Sequence, residues 1–84
     1  MKVLLITIGI ITGSVVDSET KEPLTGVRVE TITENNITYT DFDGIYNIES
    51  HLDSIKLKIS HISYQDTIIS LSDMKDGFIE LKSY

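Results

Sequence analysis

Asp41, Asp43 and Gly44 stand at a spacing that opens many calcium-binding loops. An EF-hand loop also needs an oxygen ligand at its fifth position and a bidentate Glu at its twelfth. Here those positions hold Ile45 and Leu52. Asp and Gly equally favour tight turns, because an Asp carboxylate can accept nearby backbone N–H groups and Gly tolerates positive φ. We therefore predict a turn with Gly44 in the left-handed region, and no metal site.

The two histidines, His51 and His61, are the other candidates for metal binding. Without cysteine thiolates they could hold zinc only with help from a carboxylate such as Asp53. His51 lies in a predicted turn, and His61 follows an outward position of a predicted strand. We expect ordinary surface histidines and no bound metal or other cofactor.

No part of the sequence has the spacing of a catalytic or phosphate-binding motif. It contains no Gly-x-Ser-x-Gly, no glycine-rich phosphate loop and no His-Glu-x-x-His. Acid pairs such as Glu19 and Glu22 flank a predicted turn, where carboxylates are ordinarily solvated. We therefore predict no catalytic residues and a function other than catalysis.

Length and charge bound the function further. Eighty-four residues allow one domain with a single modest core. Thirteen acidic residues against seven basic ones give a net charge of −6, and Arg28 is the only arginine. Such a chain lacks the basic surface that nucleic acid requires. No apolar run reaches the ~20 residues of a membrane-spanning helix, so we expect no membrane span.

Apolar and polar residues alternate along most of the chain, which is typical of half-buried β-strands. Turn-like segments separate seven such stretches, and alanine, the best helix former, is absent. The pattern predicts an all-β fold, a seven-stranded β-sandwich. The side chains predicted to face its core are Val15, Leu24, Val27, Val29, Tyr46, Ile48, Ile55, Leu57, Ile59, Ile79 and Leu81.

Four segments, taken in order, resemble the carboxypeptidase regulatory-like domain of the Bacteroidetes type. They are 11–17 (ITGSVVD), 22–29 (EPLTGVRV), 40–48 (TDFDGIYNI) and 57–64 (LKISHISY). The resemblance implies a transthyretin-like, immunoglobulin-like β-sandwich that accompanies catalytic domains and carries none of their catalytic residues.

Two positions depart from this pattern, because the family usually has Gly where Lys21 and Ser63 stand; we expect locally distorted turns there. We also predict that the Tyr64 ring joins the core and that its hydroxyl bonds backbone.

The N-terminal residues break the alternation, because both faces of a strand over 3–11 would be apolar. One sandwich cannot cover both faces, so the second face predicts an interface with a protein partner. Its residues are Leu4, Ile6, Ile8 and Ile10. A short signal peptide is the alternative interpretation of the same residues. We predict one domain over 1–84, with an apolar N-terminal strand at 1–10 and the carboxypeptidase regulatory-like core at 11–84.

The leading functional hypothesis is a non-catalytic structural or protein-interaction module that decorates or cements a larger assembly. Its partners would be proteins, either further copies of the chain or other components. A virion, with the module on a phage capsid, is the favoured location. The alternative is an exported accessory domain of the bacterial envelope that binds a glycan or a receptor partner, with Tyr39, Phe42 and Tyr84 as aromatics for sugar stacking.

Overall fold

The computed structural model describes residues 9–50, 55–70 and 78–84. These residues form seven strands, as the sequence predicts. They are β1 (Gly9–Asp17), β2 (Arg28–Thr31), β3 (Ile37–Tyr39), β4 (Ile45–Ser50), β5 (Lys56–His61), β6 (Tyr64–Ser70) and β7 (Phe78–Leu81). No helix within the described residues has the length and apolarity to cross a membrane.

The strands form two packed sheets, which confirms the predicted β-sandwich. One sheet has three strands in the order β4-β1-β7, and the other has four in the order β3-β2-β5-β6. β1 pairs antiparallel with β4 and parallel with β7. All pairs in the four-stranded sheet are antiparallel. β3 and β4 are thus edge strands of different sheets, joined by the turn at residues 41–44.

The core lies between the inner faces of the two sheets. All the side chains predicted to face it are buried except Leu24, which is half-buried and packs against the cluster. Tyr46 is the largest fully buried side chain, and burial raises its pKa to about 12. Burial therefore keeps its phenol neutral to a higher pH than an exposed tyrosine. Alternation along β4, β5 and β7 thus selects the buried face.

Val16 is also buried, although alternation places it on the outer face of the three-stranded sheet. The loop after β1 turns back and pairs alongside the end of this strand. Pro23 forms an isolated bridge with Val16, and the Leu24 N–H donates to the Val15 carbonyl at 3.0 Å. The loop therefore extends the three-stranded sheet beside the end of β1 and brings Leu24 to the end of the core.

Thr40 fixes the start of β2 from within the sandwich. Its buried hydroxyl donates to the Leu24 carbonyl at 2.6 Å and accepts the Val27 N–H at 2.9 Å. Two backbone groups of the loop are thereby satisfied by one side chain, as buried polar groups require.

We expect Leu57→Ala to lower the free energy of unfolding by ~2–5 kcal/mol, because it leaves a cavity in the centre of the core. Leu57 is fully buried on β5, and its neighbour Lys58 is exposed. Lys58→Ala is the matched control and should change stability by less than about 0.5 kcal/mol. Urea denaturation of both variants measures this, and equal effects would contradict the assigned strand face.

Candidate functional site

Residues 41–44 form a turn in which the Asp41 carboxylate accepts hydrogen bonds from backbone N–H groups. Asp41 Oδ1 accepts the N–H groups of Asp43 at 2.9 Å and Ile45 at 3.0 Å. The Gly44 N–H donates to the Asp41 carbonyl at 3.0 Å. The described residues contain no group of three or more His, Asp or Glu side chains that could hold a metal ion.

Gly44 has a φ of 73°, as the sequence predicts, and it also lies against β1. A Cβ at this position would stand 2.7 Å from the Val15 carbonyl oxygen and 3.1 Å from the Leu24 nitrogen. Both atoms belong to backbone that cannot move independently. The turn therefore requires glycine for its conformation and for the close approach.

His61 lies at the end of β5 and is half-buried. Its Nδ1 accepts the Ser63 N–H at 3.1 Å, and its ring meets the Tyr64 ring edge-on, with centroids 5.4 Å apart. This nitrogen supports the β5–β6 hairpin. The other two residues of the zinc hypothesis, His51 and Asp53, lie outside the described residues.

Tyr64 binds a carboxylate, so the predicted hydrogen bond to backbone is wrong. Its hydroxyl donates to Asp17 Oδ2 at 2.7 Å, while its ring packs against the core. Asp17 Oδ1 accepts the N–H groups of Glu19 at 2.7 Å and Thr20 at 3.0 Å. Asp17 ends β1 and Tyr64 begins β6, so this carboxylate joins the two sheets.

These hydrogen bonds shift the ionisation of both partners. The pKa of Asp17 is lowered, mainly by the Thr20 N–H and then by the Tyr64 hydroxyl. The pKa of Tyr64 is raised, chiefly because its hydroxyl donates to the Asp17 carboxylate. Both shifts favour the ionised carboxylate beside the neutral phenol.

The turn after Asp17 shows why the family usually has glycine where Lys21 stands. Lys21 has a φ of 63°, in the region that favours glycine. Its ammonium lies 2.7 Å from Glu80 Oε1 on β7. Ser63, the other departure, is not among the described residues with positive φ, so its hairpin accepts a side chain without this strain.

Ile10 is the one residue of the predicted interface that the structure describes. It lies on β1 opposite Glu49 and is 67% exposed. Ile45 and Phe78 are exposed as well, and both pair with Ser14 in the same sheet. The outer face of this sheet therefore carries exposed apolar side chains. Leu4, Ile6 and Ile8 lie outside the described residues.

A cavity of about 320 Å³ opens between the edge strands β3 and β4. Its lining combines two apolar side chains with polar ones: Asn36, Ile37, Thr38, Asn47, Ile48 and Glu49. The Asn36 amide crosses this opening and donates to the Glu49 carbonyl at 2.9 Å. The volume is at the lower end of the range for ligand pockets, ~300–1,000 Å³.

The backbone N–H and C=O groups of successive residues in β3 point alternately toward β2 and toward this opening. Asn36 and Thr40 bond to the β2 side. The Thr31 N–H donates to the Asn36 carbonyl at 2.9 Å, and the Thr40 N–H donates to the Val27 carbonyl at 3.0 Å. By alternation Thr38 does the same, and Ile37 and Tyr39 direct their N–H and C=O groups outward. Among the described residues these outward groups have no hydrogen-bond partner.

The three aromatics suggested for sugar stacking are exposed. Tyr39 is 60% exposed on β3, Phe42 is 91% exposed in the β3–β4 turn, and Tyr84 is also exposed. Tyr39 and Phe42 lie on the side of the sandwich that holds the cavity, because both belong to the segment that joins its two edge strands.

The three- and four-stranded sheets define an immunoglobulin-like β-sandwich. Among its described residues, every buried side-chain nitrogen or oxygen has a hydrogen-bond partner. A family model for the CarboxypepD_reg-like domain matches residues 11–83, and the chain belongs to this family. Domains of this family are in general small, non-catalytic β-sandwich modules. A search of curated proteins finds no match.

We expect Gly44→Ala to destabilise the protein several times more than Gly26→Ala. Both glycines have a φ of 73°, but a Cβ at Gly26 meets no atom within 4 Å. Gly26→Ala therefore has only the conformational cost, ~1–2 kcal/mol, whereas Gly44→Ala must also displace the Val15 backbone. Urea denaturation compares the two variants, and similar losses would show that the contact with β1 is unimportant.

We expect Tyr64→Phe to lower the melting temperature at neutral pH, because the Asp17 carboxylate loses a donor. A depressed pKa stabilises the fold above the unfolded value, about 3.9, and this contribution disappears as pH falls through the folded pKa. The difference between wild type and variant should therefore narrow below about pH 3.9.

The raised pKa of Tyr64 acts at the other end of the pH range. Its contribution is complete below the unfolded value, about 10, and is lost as pH rises through the folded pKa. Tyr39→Phe is the matched control, because Tyr39 is an exposed tyrosine on an edge strand. Thermal melts across this range give the test. A Tyr64→Phe melting curve that matches Tyr39→Phe at every pH would contradict the role of Asp17.

Proposed function

We propose that the chain is a non-catalytic protein-interaction module that attaches to a larger assembly through its apolar N-terminal strand. The observation that carries the proposal is Ile10. It is exposed on β1, and β1 is the direct continuation of the apolar residues 3–8. The outer face around β1 also exposes Ile45 and Phe78, so an added partner could cover apolar surface there.

The energy available from such an interface is substantial. Four large apolar side chains on the second face of the N-terminal strand offer ~6–12 kcal/mol before the costs of association. Those costs reduce the net affinity, and the remaining energy supports a stable contact. Extended backbone adds hydrogen bonds to a neighbouring sheet edge in the same contact.

The assembly that we propose is a virion of a phage that infects Bacteroidetes. This setting is proposed by analogy, because small sandwich proteins commonly decorate capsids and the resemblance implies a bacterial lineage. The bacterial envelope is the second setting. Mass spectrometry of purified particles and of purified envelopes distinguishes the two, and recovery of the chain in the envelope alone would overturn the virion setting.

The second candidate function is glycan binding at the β3–β4 opening. It is favoured by the exposed Tyr39 and Phe42, which follow the cavity-lining Thr38 in sequence, and by Asn47 and Glu49 in that lining. Sugars stack on aromatic rings and bond amides and carboxylates. Binding of a soluble glycan panel to wild type, and its loss in Tyr39→Ala, would support this candidate.

We expect the double change Ile6→Asp and Ile8→Asp to prevent incorporation into the native assembly, because it introduces two charges into the apolar face. The matched control is Ile62→Asp with Ile68→Asp, two exposed positions on the β5–β6 hairpin. The amount of each variant in purified particles is measured by mass spectrometry. Incorporation of the N-terminal variant at the wild-type level would overturn the proposed interface.

A further inference from the structure

We propose that β3 is the acceptor edge for this interface, and that residues 3–8 of a second copy of the chain add to it as an extra strand. The inference rests on the proposed function, which makes the N-terminal strand the donor. It goes further by naming both the occupant and the surface that receives it.

The backbone of β3 is ready to pair with another strand. The outward N–H and C=O groups of Ile37 and Tyr39 have no partner among the described residues, which leaves two donors and two acceptors along one short edge. An added strand satisfies such groups with main-chain hydrogen bonds. Six residues span ~20 Å, which exceeds the ~10 Å length of β3 and allows contacts beyond both its ends.

The other sheet edges are less suited to pairing. On β4, the outward Ile45 backbone bonds Asp41 and the Glu49 carbonyl accepts from Asn36. β6 carries Asp66 and β7 carries Glu80, and charged side chains on an edge strand oppose pairing with an apolar strand. The residues of β3, Ile-Thr-Tyr, include no charge and no proline.

The surroundings of β3 match a donor with two apolar faces. On the outer face of the sheet, Ile37 is 46% exposed and Tyr39 is more exposed. On the inner side, the cavity between β3 and β4 provides room for alternate side chains of an added strand. Successive side chains of that strand point to opposite faces, so one would enter the cavity and the next would cover Ile37 or Tyr39. Residues 3–8 have large apolar side chains on both faces.

Charge favours the same pairing. The whole chain carries a net charge of −6, yet residues 1–8 contain one lysine, Lys2, and no acid. Acidic residues flank β3 on both sides, with Glu34 before it and Asp41 and Asp43 after it. Lys2 of the second copy therefore meets negative charge whichever direction the added strand takes.

Disulfide cross-linking between two differently tagged full-length copies tests the pairing, because the natural chain has no cysteine. Donor copies carry Thr7→Cys or Ile8→Cys, one on each face of the N-terminal strand. Acceptor copies carry Ile37→Cys on β3, Asn47→Cys on β4 or Ile68→Cys on β6. Ile68 is the matched control, since it is an exposed isoleucine on the same outer face at the opposite edge strand.

We expect at least one donor to cross-link to Ile37→Cys at least ~10-fold more than to Ile68→Cys. Equal yields at the two acceptors would overturn the proposal. Preferential cross-linking to Asn47→Cys would also overturn it, but would leave the N-terminal strand as an interface that uses β4. No cross-link to any acceptor would exclude self-association by this strand, while the Ile6→Asp and Ile8→Asp experiment still tests the proposed function independently.

Sedimentation equilibrium provides a readout without cysteines. Ile37→Lys should weaken self-association at least ~10-fold, because a lysine on an edge strand opposes strand addition. Ile68→Lys should weaken it less than ~2-fold. Circular dichroism checks that both variants stay folded, and similar association constants for the two would contradict the assignment of β3.

Discussion

β1 is the strand on which both sheets depend. It lies between β4 and β7, so the three-stranded sheet does not exist without it. Val15 of this strand is fully buried in the core. The Val15 carbonyl accepts the N–H of Leu24, in the loop that leads to the second sheet. Asp17, at the end of β1, bonds Tyr64 in the four-stranded sheet. A change that displaces β1 therefore disturbs pairing, core packing and the junction between sheets together.

The strands and the inner face could be predicted because alternation is a local property. Ile55, Leu57 and Ile59 show it directly, and the structure buries all three. Val16 was not predicted, because alternation places it on the outer face and the loop that pairs beside it is not signalled by the alternation. Thr31 and Thr40 were missed for a related reason, since their hydroxyls bond backbone of the β2–β3 hairpin and of the loop before β2. Polar residues become buried only where such partners exist.

The turn at Asp41 and Gly44 could be predicted from residue type alone, because Asp and Gly favour such turns. The sequence Asp-Ser-Glu-Thr at 17–20 likewise indicates an Asp-centred turn. The partner of Tyr64 could not be predicted in this way. That partner is Asp17, which lies 47 residues earlier in the sequence and reaches Tyr64 only when the two sheets have packed. Likewise, the opening between β3 and β4 is a property of how two sheets meet at their edges.

The parallel pairing of β1 with β7 has a consequence for synthesis. Val15 pairs with Ile79, so β1 finds one of its two neighbours only 64 residues later in the sequence. Chains grow at roughly 5–20 residues per second, so β1 and β4 can meet about 1.5–6 seconds before β7 is made. During that interval the nascent chain exposes one side of β1, beside strongly apolar N-terminal residues. Contacts between residues so far apart in sequence also slow folding. The period in which a wrong partner can capture β1 is therefore set by the position of its last neighbour in the sequence.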